Sequence, residues 1–432
     1  MIDDAGTPTE LTVTGGRPLQ GRLRLPGCKG ISHRALLFAA IADGRSVIRG
    51  IADGADVAST AACLDGLGVR LRADHEAVTV RGVGFDGLRE PASVLDCGNS
   101  GTTMRMLAGM VAGREFLSVL VGDESLSARP MRRVLDPLEA MGATVDGRDG
   151  GRLAPLTVRG GGLRGTAHEL ATASGQVKTA LTLAGLQADG VTEILEPAPS
   201  RDHTERMLVA LGAPIEQIDD RTVRVRRGQP SAFEFTVPGD PSSAAFFVVA
   251  ACIVPGSDLV LEAVSVNPAR IAYVDVLRRM GAQIEITVTA EEVGEPVGNI
   301  RIQAAPLVAT DIAGDESIID ELPVLAVAAA FAEGTTTIYD AAELAIKESN
   351  RIGTVEQELT QLGIGVEARA DGLVIRGGAP KGSSLKSHGD HRIAMAGAVA
   401  GLAASGETTV RGFGVTAISY PGFAADLASV LA

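Results

Sequence analysis

The sequence predicts an α/β protein of two similar domains, each assembled from three copies of one repeat. Three observations carry this: a phrase that recurs six times, a second phrase interleaved with it, and a return of the opening motif at half-length. The first phrase is an apolar helix, a glycine and a β-rich strand. It reads "HRALLFAAIADGRSVI", "MRMLAGMVAGREFLSVL", "VKTALTLAGLQADGVTEI", "AAFFVVAACIVPGSDLVL", "LPVLAVAAAFAEGTTTI" and "HRIAMAGAVAGLAASGETTV". Its glycines, Gly44, Gly113, Gly190, Gly256, Gly334 and Gly406, are spaced 69, 77, 66, 78 and 72 residues apart. The second phrase is an amphipathic helix ending in Leu-Gly or Met-Gly ahead of another strand, at Gly68, Gly142, Gly212, Gly281 and Gly363. Glycine there is the expected left-handed residue closing a helix. A helix at 424–431 ends the chain where a sixth such phrase would fall. Units of roughly 70 residues with two helices and several strands must stack on copies of themselves to bury their apolar faces.

The opening motif "LPGCKGISHRALLFAA" from Leu25 returns as "VPGDPSSAAFFVVAA" from Val237, so the six units divide three plus three. Two chain crossings are expected, near 26–28 and 237–241, and interfaces of this kind favour small-molecule sites. Length agrees, since 432 residues exceed one ordinary core. A hydrophobic content of 45%, a charged content of 21% and 53 glycines describe a globular α/β protein. The net charge of −14 argues against nucleic acid or an anionic membrane as partner. Cys28, Cys63, Cys97 and Cys252 stand far apart, so neither a zinc site nor a disulfide framework is indicated, and a reduced, cytoplasmic setting is expected. The acidic, polar start "MIDDAGTPTE" does not read as a signal peptide. The longest apolar runs, such as 322–332, are too short to span a bilayer.

The helix starts are the unusual places. "PGCKGISHR" sets Lys29, His33 and Arg34 at the positive end of a helix dipole, where exposed cations typically cost a few tenths of a kcal/mol. Either an anion belongs there, held by free backbone N–H groups and side chains together, or the long basic chains swing into water. The pattern recurs in "CGNSGTTMR" (Asn99, Gly101, Arg105), "LSARPMRR" (Arg129, Arg132, Arg133) and "ASGQVK" (Ser174, Gln176, Lys178). It recurs again in "PSRDHTER" (Ser200, Arg201, His203), "IKESNR" (Lys347, Glu348, Arg351) and "GDHR" (Asp390, His391, Arg392). Seven such helix starts in an acidic protein point to convergence on an anionic ligand. A phosphate monoester carries about −1.5 to −2 near neutral pH, and forked guanidinium groups suit its oxygens. Acids stand among the cations. Asp320 and Glu321 read as an N-cap and a first-turn acid, and Glu348 as an i, i+3 partner of Arg351. Two carboxylates beside lysines also suit proton transfer, and the residues alone leave that choice open.

"NSGTTMR", "SRDHTERM", "KES-R" and "GDHRIAM" together resemble the 5-enolpyruvylshikimate-3-phosphate synthase family of enolpyruvyl transferases, in order and spacing, from about Leu11 to the C-terminus. The resemblance implies two domains of three βαβαββ units each, residues 1–27 with 239–432 and residues 28–238, closing on an interdomain active site. It implies transfer of the enolpyruvyl group of phosphoenolpyruvate to the 5-hydroxyl of shikimate 3-phosphate in aromatic amino-acid biosynthesis, with no metal or cofactor. Lys29, Gly30, Arg34, Ser174, Gly175, Gln176, Ser200, Arg201, Asp320 and Lys347 would contact shikimate 3-phosphate. Lys29, Gly101, Arg129, Gln176, Arg351 and Arg392 would contact phosphoenolpyruvate. Lys29, Asp320 and Glu348 would form the catalytic set, Asp320 as base for the hydroxyl and Glu348 handling the methylene proton. A monomer is expected, and glyphosate is an expected inhibitor because Gly101, which leaves it room, is retained.

The chain also departs from the family pattern. Gly30 replaces a serine common in relatives, Gly175 lies in the small-residue pair after Ser174, and Asn350 replaces an aspartate. Ala345 replaces a basic residue, and the 418–419 segment lacks a lysine that some relatives carry. Two other readings compete with this one. A sister transferase on a UDP-sugar or another alcohol is disfavoured for the UDP-sugar, because 122–130 lacks the reactive cysteine expected there. A ring-shaped DNA clamp would need a basic inner helical face, which an acidic chain with cations pooled at helix starts does not offer.

Overall fold

The computed structural model describes residues 8–432. By contacts the chain falls into two compact units. The first comprises the chain up to Pro26, Pro238–Ala290 and Pro296–Ala432; the second comprises Gly27–Val237 and Glu291–Glu295. One segment departs from the division expected from sequence. The turn Glu291–Glu295, placed in the first domain by chain order, groups with the second unit. Glu295 explains why: it is fully buried there, with its Oε1 2.7 Å from His203 Nδ1.

Six small sheets are present among the described residues, three in each unit. In the second unit, Leu95–Asp96 lies parallel to Leu117–Val121, which pairs antiparallel with Leu153–Arg159, and Thr144–Gly147 completes the sheet. The order Ala167–Glu169, Val191–Leu195, Thr222–Arg226, Ile215–Gln217 repeats the same pattern. A helix links each parallel pair, Gly101–Val111 in one case and Gly175–Gly185 in the other. In the third sheet the parallel edge strand comes from the far end of the unit, with Glu234 opposite Val47. The first unit closes in the same way. Gln20–Arg24 lies parallel to Asp258–Ser265, and Glu10–Thr14 pairs antiparallel with Glu407–Arg411.

Each unit has its own core around three central helices. They are Lys29–Ile41, Gly101–Val111 and Gly175–Gly185 in the second unit, and Pro241–Ile253, Leu322–Ala330 and His391–Ala403 in the first. These helices are apolar on nearly every side, as a helix enclosed by sheets and sister helices must be. Gly109 shows how close they come, since a Cβ there would lie 2.0 Å from the Ala180 carbonyl oxygen. The five glycines of the second phrase all take positive φ, between +73° and +107°. Local caps start four of the central helices. Ser100, Ser174, Asp240 and Asp390 each accept a backbone N–H of the first turn. In the first unit Phe247, Phe413 and Tyr420 surround Phe423 at centroid distances of 5.4, 6.1 and 5.5 Å, pinning the C-terminal helix Phe423–Val430.

Candidate active site

The Lys29–Ile41 helix begins at Cys28 with no side-chain cap and no acid in its first turn. Its basic residues therefore find partners elsewhere in the second unit. Lys29 Nζ donates to Asp56 Oδ2 at 3.0 Å. Arg34 does not swing into water: it is 3% exposed. Its Nε donates to Thr204 Oγ1 at 2.8 Å, Nη1 to the Gly30 carbonyl at 2.8 Å, and Nη2 to the Gly175 carbonyl at 3.0 Å and Thr179 Oγ1 at 2.9 Å. Burial lowers its pKa to about 10, leaving it charged at neutral pH. His33 is no cation at all. It is buried beside Thr60 Oγ1 at 2.7 Å, and burial, opposed by Asp56 and reinforced by Lys29 and Arg34, pushes its pKa down to about 3.

Beneath Ser174 and Ser200 lies a buried charge layer. Lys178 Nζ, read from sequence as a cation facing a ligand, is enclosed instead between Glu196 Oε2 and Glu205 Oε1, each at 2.7 Å. Burial opposes its charge, yet the two carboxylates hold the lysine firmly protonated. Burial raises the Glu205 carboxyl, with a smaller push from Asp202, despite the opposing Lys178. Gly175 brings the neighbouring basic groups together: a Cβ there would meet Arg201 Cβ at 3.1 Å and Arg34 Nη2 at 3.6 Å.

A second group in the same unit forms where the Gly101–Val111 and Gly175–Gly185 helices pack. Gln176 Oε1 accepts from Arg105 Nη1 at 2.6 Å, while its Nε2 donates to Thr102 Oγ1 at 2.9 Å. Arg129 Nη2 donates to Asn99 Oδ1 at 3.0 Å and Ser125 Oγ at 3.2 Å. Gly101 opens beneath both guanidinium groups, since a Cβ there would lie 2.8 Å from Arg105 Nη1 and 3.6 Å from Arg129 Nη1. Arg132, by contrast, is exposed and pairs with Asp136 at 2.8 Å, so the solvated reading holds for it.

In the first unit the acids and cations interleave. Asp320 lies 3.4 Å from Arg351 Nη1, 3.7 Å from Arg392 Nη2 and 3.8 Å from Lys347 Nζ. Arg392 Nη1 also donates to the Asp320 carbonyl at 2.8 Å. Arg351, 1% exposed, donates from Nη2 to Glu348 Oε2 at 2.7 Å and from Nε to Asp390 Oδ2 at 2.8 Å. Asp390 also caps its own helix through the Arg392 N–H at 2.9 Å. Burial alone would raise the Asp390 carboxyl, but Arg351 overrides it and holds it below the ordinary range. Glu321 is not the solvated first-turn acid its position suggests. It is fully buried, accepts from Ser242 Oγ and faces Arg392 Nη1 at 3.7 Å. Asn350 caps the Arg351–Gln361 helix through the Gly353 N–H at 3.3 Å, a task the family's aspartate could equally perform.

The profile of the EPSP synthase (3-phosphoshikimate 1-carboxyvinyltransferase) family matches residues 13–427. The chain belongs to the EPSP synthase family. A 3-phosphoshikimate 1-carboxyvinyltransferase of Synechococcus sp. (strain JA-3-3Ab) is 50% identical over 431 residues, covering 98% of this chain and 97% of that protein. A protein of the same name from Bacillus cereus (strain B4264) is 48% identical over 413 residues, covering 95% and 96%. EPSP synthase from Acinetobacter baumannii superposes with a TM-score of 0.88 at 39% identity, covering 98% of each chain. The enolpyruvyl transferase NikO from Streptomyces tendae shares the fold, with a TM-score of 0.77 at 21% identity over 98% and 97%. No helix among the described residues is long and apolar enough to cross a membrane.

The residues expected from sequence thus fall into two groups. Lys29, Gly30, Arg34, Gly101, Arg129, Ser174, Gly175, Gln176, Ser200 and Arg201 lie in the second unit, and Asp320, Lys347, Glu348, Arg351 and Arg392 in the first. Sequence reading passed over Asp56 and Glu196, and it left Arg105 and Asp390 outside the contact set. A lysine in the apolar run "VKTALTLAG" was the available signal for Glu196, because a buried lysine requires a buried acid.

Proposed function

We propose that this protein transfers the enolpyruvyl group of phosphoenolpyruvate to the 5-hydroxyl of shikimate 3-phosphate, releasing phosphate. The observation that carries the assignment of roles is Asp320: a carboxylate within 3.8 Å of Lys347, Arg351 and Arg392, with Glu348 on the same arginine. Glu348 gives a proton to the methylene carbon of phosphoenolpyruvate, making a cation-like centre at C2. Asp320 takes the proton of the attacking 5-hydroxyl, and a tetrahedral ketal forms. The ketal then loses phosphate, which leaves with the hydroxyl proton, while one methyl proton returns to Glu348 and the double bond is restored. Two carboxylates in separate acid and base roles are worth about 10²–10⁴-fold each.

Both substrates are anions, so pre-placed counter-charge lowers the barrier to bringing them together. Arg34, Ser174, Ser200, Arg201 and Lys347 serve shikimate 3-phosphate, and Arg129, Gln176, Arg351 and Arg392 serve phosphoenolpyruvate. Glyphosate competes at the latter set, where Gly101 leaves space beneath Arg105 and Arg129. The enzyme acts as a cytoplasmic monomer. Phosphate release with both substrates, with either alone and after EDTA treatment tests the reading. Turnover should need both substrates and survive EDTA; no release with both present overturns it.

A further inference from the structure

We propose that Glu196 is a positioning residue for the phosphate of shikimate 3-phosphate, gathering Ser174 and Ser200 onto one buried carboxylate; this rests on the function proposed above. Glu196 follows the Val191–Leu195 strand, and its N–H donates to the Arg221 carbonyl at 3.0 Å, so its backbone is held by the sheet. Its side chain is fully buried. Oε1 accepts the Ser174 backbone N–H at 3.0 Å. Oε2 accepts the Ser200 hydroxyl at 2.9 Å and Lys178 Nζ at 2.7 Å. One carboxylate therefore joins two loops that are 26 residues apart in the sequence.

The geometry has a division of labour. Ser174 caps the Gly175–Gly185 helix by accepting the Val177 N–H, which leaves its own hydroxyl proton available to a ligand oxygen. Ser200 gives its one hydroxyl proton to Glu196, so toward an anionic phosphate it has only its backbone N–H to offer. A bare carboxylate next to a phosphate site would repel the ligand, and Lys178 offsets that charge from below. Lys178 is in turn braced by Glu205 at 2.7 Å, so the carboxylate that orders the serines is itself fixed. Glu196 never needs to touch the substrate to act. Buried polar networks of this kind set position more than they add stability.

The test compares Glu196→Asp, Glu196→Gln, Ser200→Ala and the Glu196→Asp/Ser200→Ala pair. Aspartate keeps the charge opposite Lys178 but is too short to reach all three donors. Expected for Glu196→Asp is a KM for shikimate 3-phosphate raised about 10-fold or more, with the KM for phosphoenolpyruvate unchanged within twofold and the melting temperature close to wild type. In the double variant the two effects on KM should overlap rather than multiply. Glu196→Gln, which removes the charge as well, should raise the same KM. The proposal is overturned if Glu196→Asp leaves that KM unchanged, if both KM values rise together, or if the effects multiply. Absence of turnover in the wild type would instead overturn the proposed function, so the two failures are distinguishable.

Discussion

Arg34, in the second turn of its helix, and Arg351, at the first position of its own, are both buried guanidinium groups, and they are satisfied in opposite ways. Arg34 spends four N–H bonds on neutral oxygens, from Gly30, Gly175, Thr179 and Thr204. Arg351 is met by three carboxylates, Asp320, Glu348 and Asp390. Their pKa values move accordingly. Burial lowers Arg34, while Asp390, Glu348 and Asp320 outweigh burial and raise Arg351. A guanidinium held by neutral groups keeps its charge for a ligand. One matched by acids holds those acids in place and keeps Asp390 ionised. Arg34 thus sits among neutral oxygens in the second unit, and Arg351 orders three carboxylates in the first.

Removing a member of the matched set should have the largest effect. Asp390→Ala leaves Arg351 short of a buried partner and should destabilise by about 3–5 kcal/mol, read as lowered melting and denaturant midpoints. Lys178→Met, which leaves Glu196 and Glu205 buried without their cation, should do the same in the other unit. A loss below about 1 kcal/mol, the range of an exposed pair, would break the comparison.

Asp320→Asn and Glu348→Gln should come next, each lowering kcat by about 10²-fold or more while changing KM little. Steady-state phosphate release checks this. A near-normal kcat would return Glu348 to a plain i, i+3 partner of Arg351.

Acid should act selectively on the matched set. The Asp390 carboxyl titrates lower in the folded chain than its unfolded value of about 3.9. The stability it contributes is therefore present above that value and lost as pH falls through the folded pKa. Thermal melts below about pH 4 should fall more steeply for the wild type than for Asp390→Asn. Parallel acid limbs would remove Asp390 from this role.

Gly30→Ser should have the smallest effect. A Cβ at Gly30 would lie 3.6 Å from Arg34 Nη1, an ordinary contact, so serine fits without displacing the guanidinium. Its hydroxyl should improve shikimate 3-phosphate binding by about 0.5–1.5 kcal/mol, or roughly 2- to 10-fold in KM, and leave stability within about 0.5 kcal/mol. The departures at Gly30, Ala345, Asn350 and 418–419 should also leave glyphosate binding weakly relative to phosphoenolpyruvate. The ratio of its Ki to the KM for phosphoenolpyruvate, at one salt concentration in the wild type and in Gly30→Ser, measures this. A low ratio unchanged by the serine would assign sensitivity to Gly101 alone.

What the sequence determined by itself was local or periodic. The glycine rhythm and the apolar helices are legible because each depends on residues within a turn or two of one another. The family motifs are legible for the same reason, as short strings in order. The cap expected at Asp320, by contrast, is not found: Glu321 stands at that position and makes no side-chain cap bond. The tertiary structure decided which charges are neutralised, because ion-pair partners lie far apart along the chain. Arg34 meets Thr204 across 170 residues, and Lys178 and Glu196 meet only because strand and helix pack. His33, a cation by its letter, is neutral through burial. Glu321, an ordinary first-turn acid by its position, lies buried against Ser242 and Arg392. Desolvation and long-range pairing are properties of the packed chain, and no window of sequence contains them.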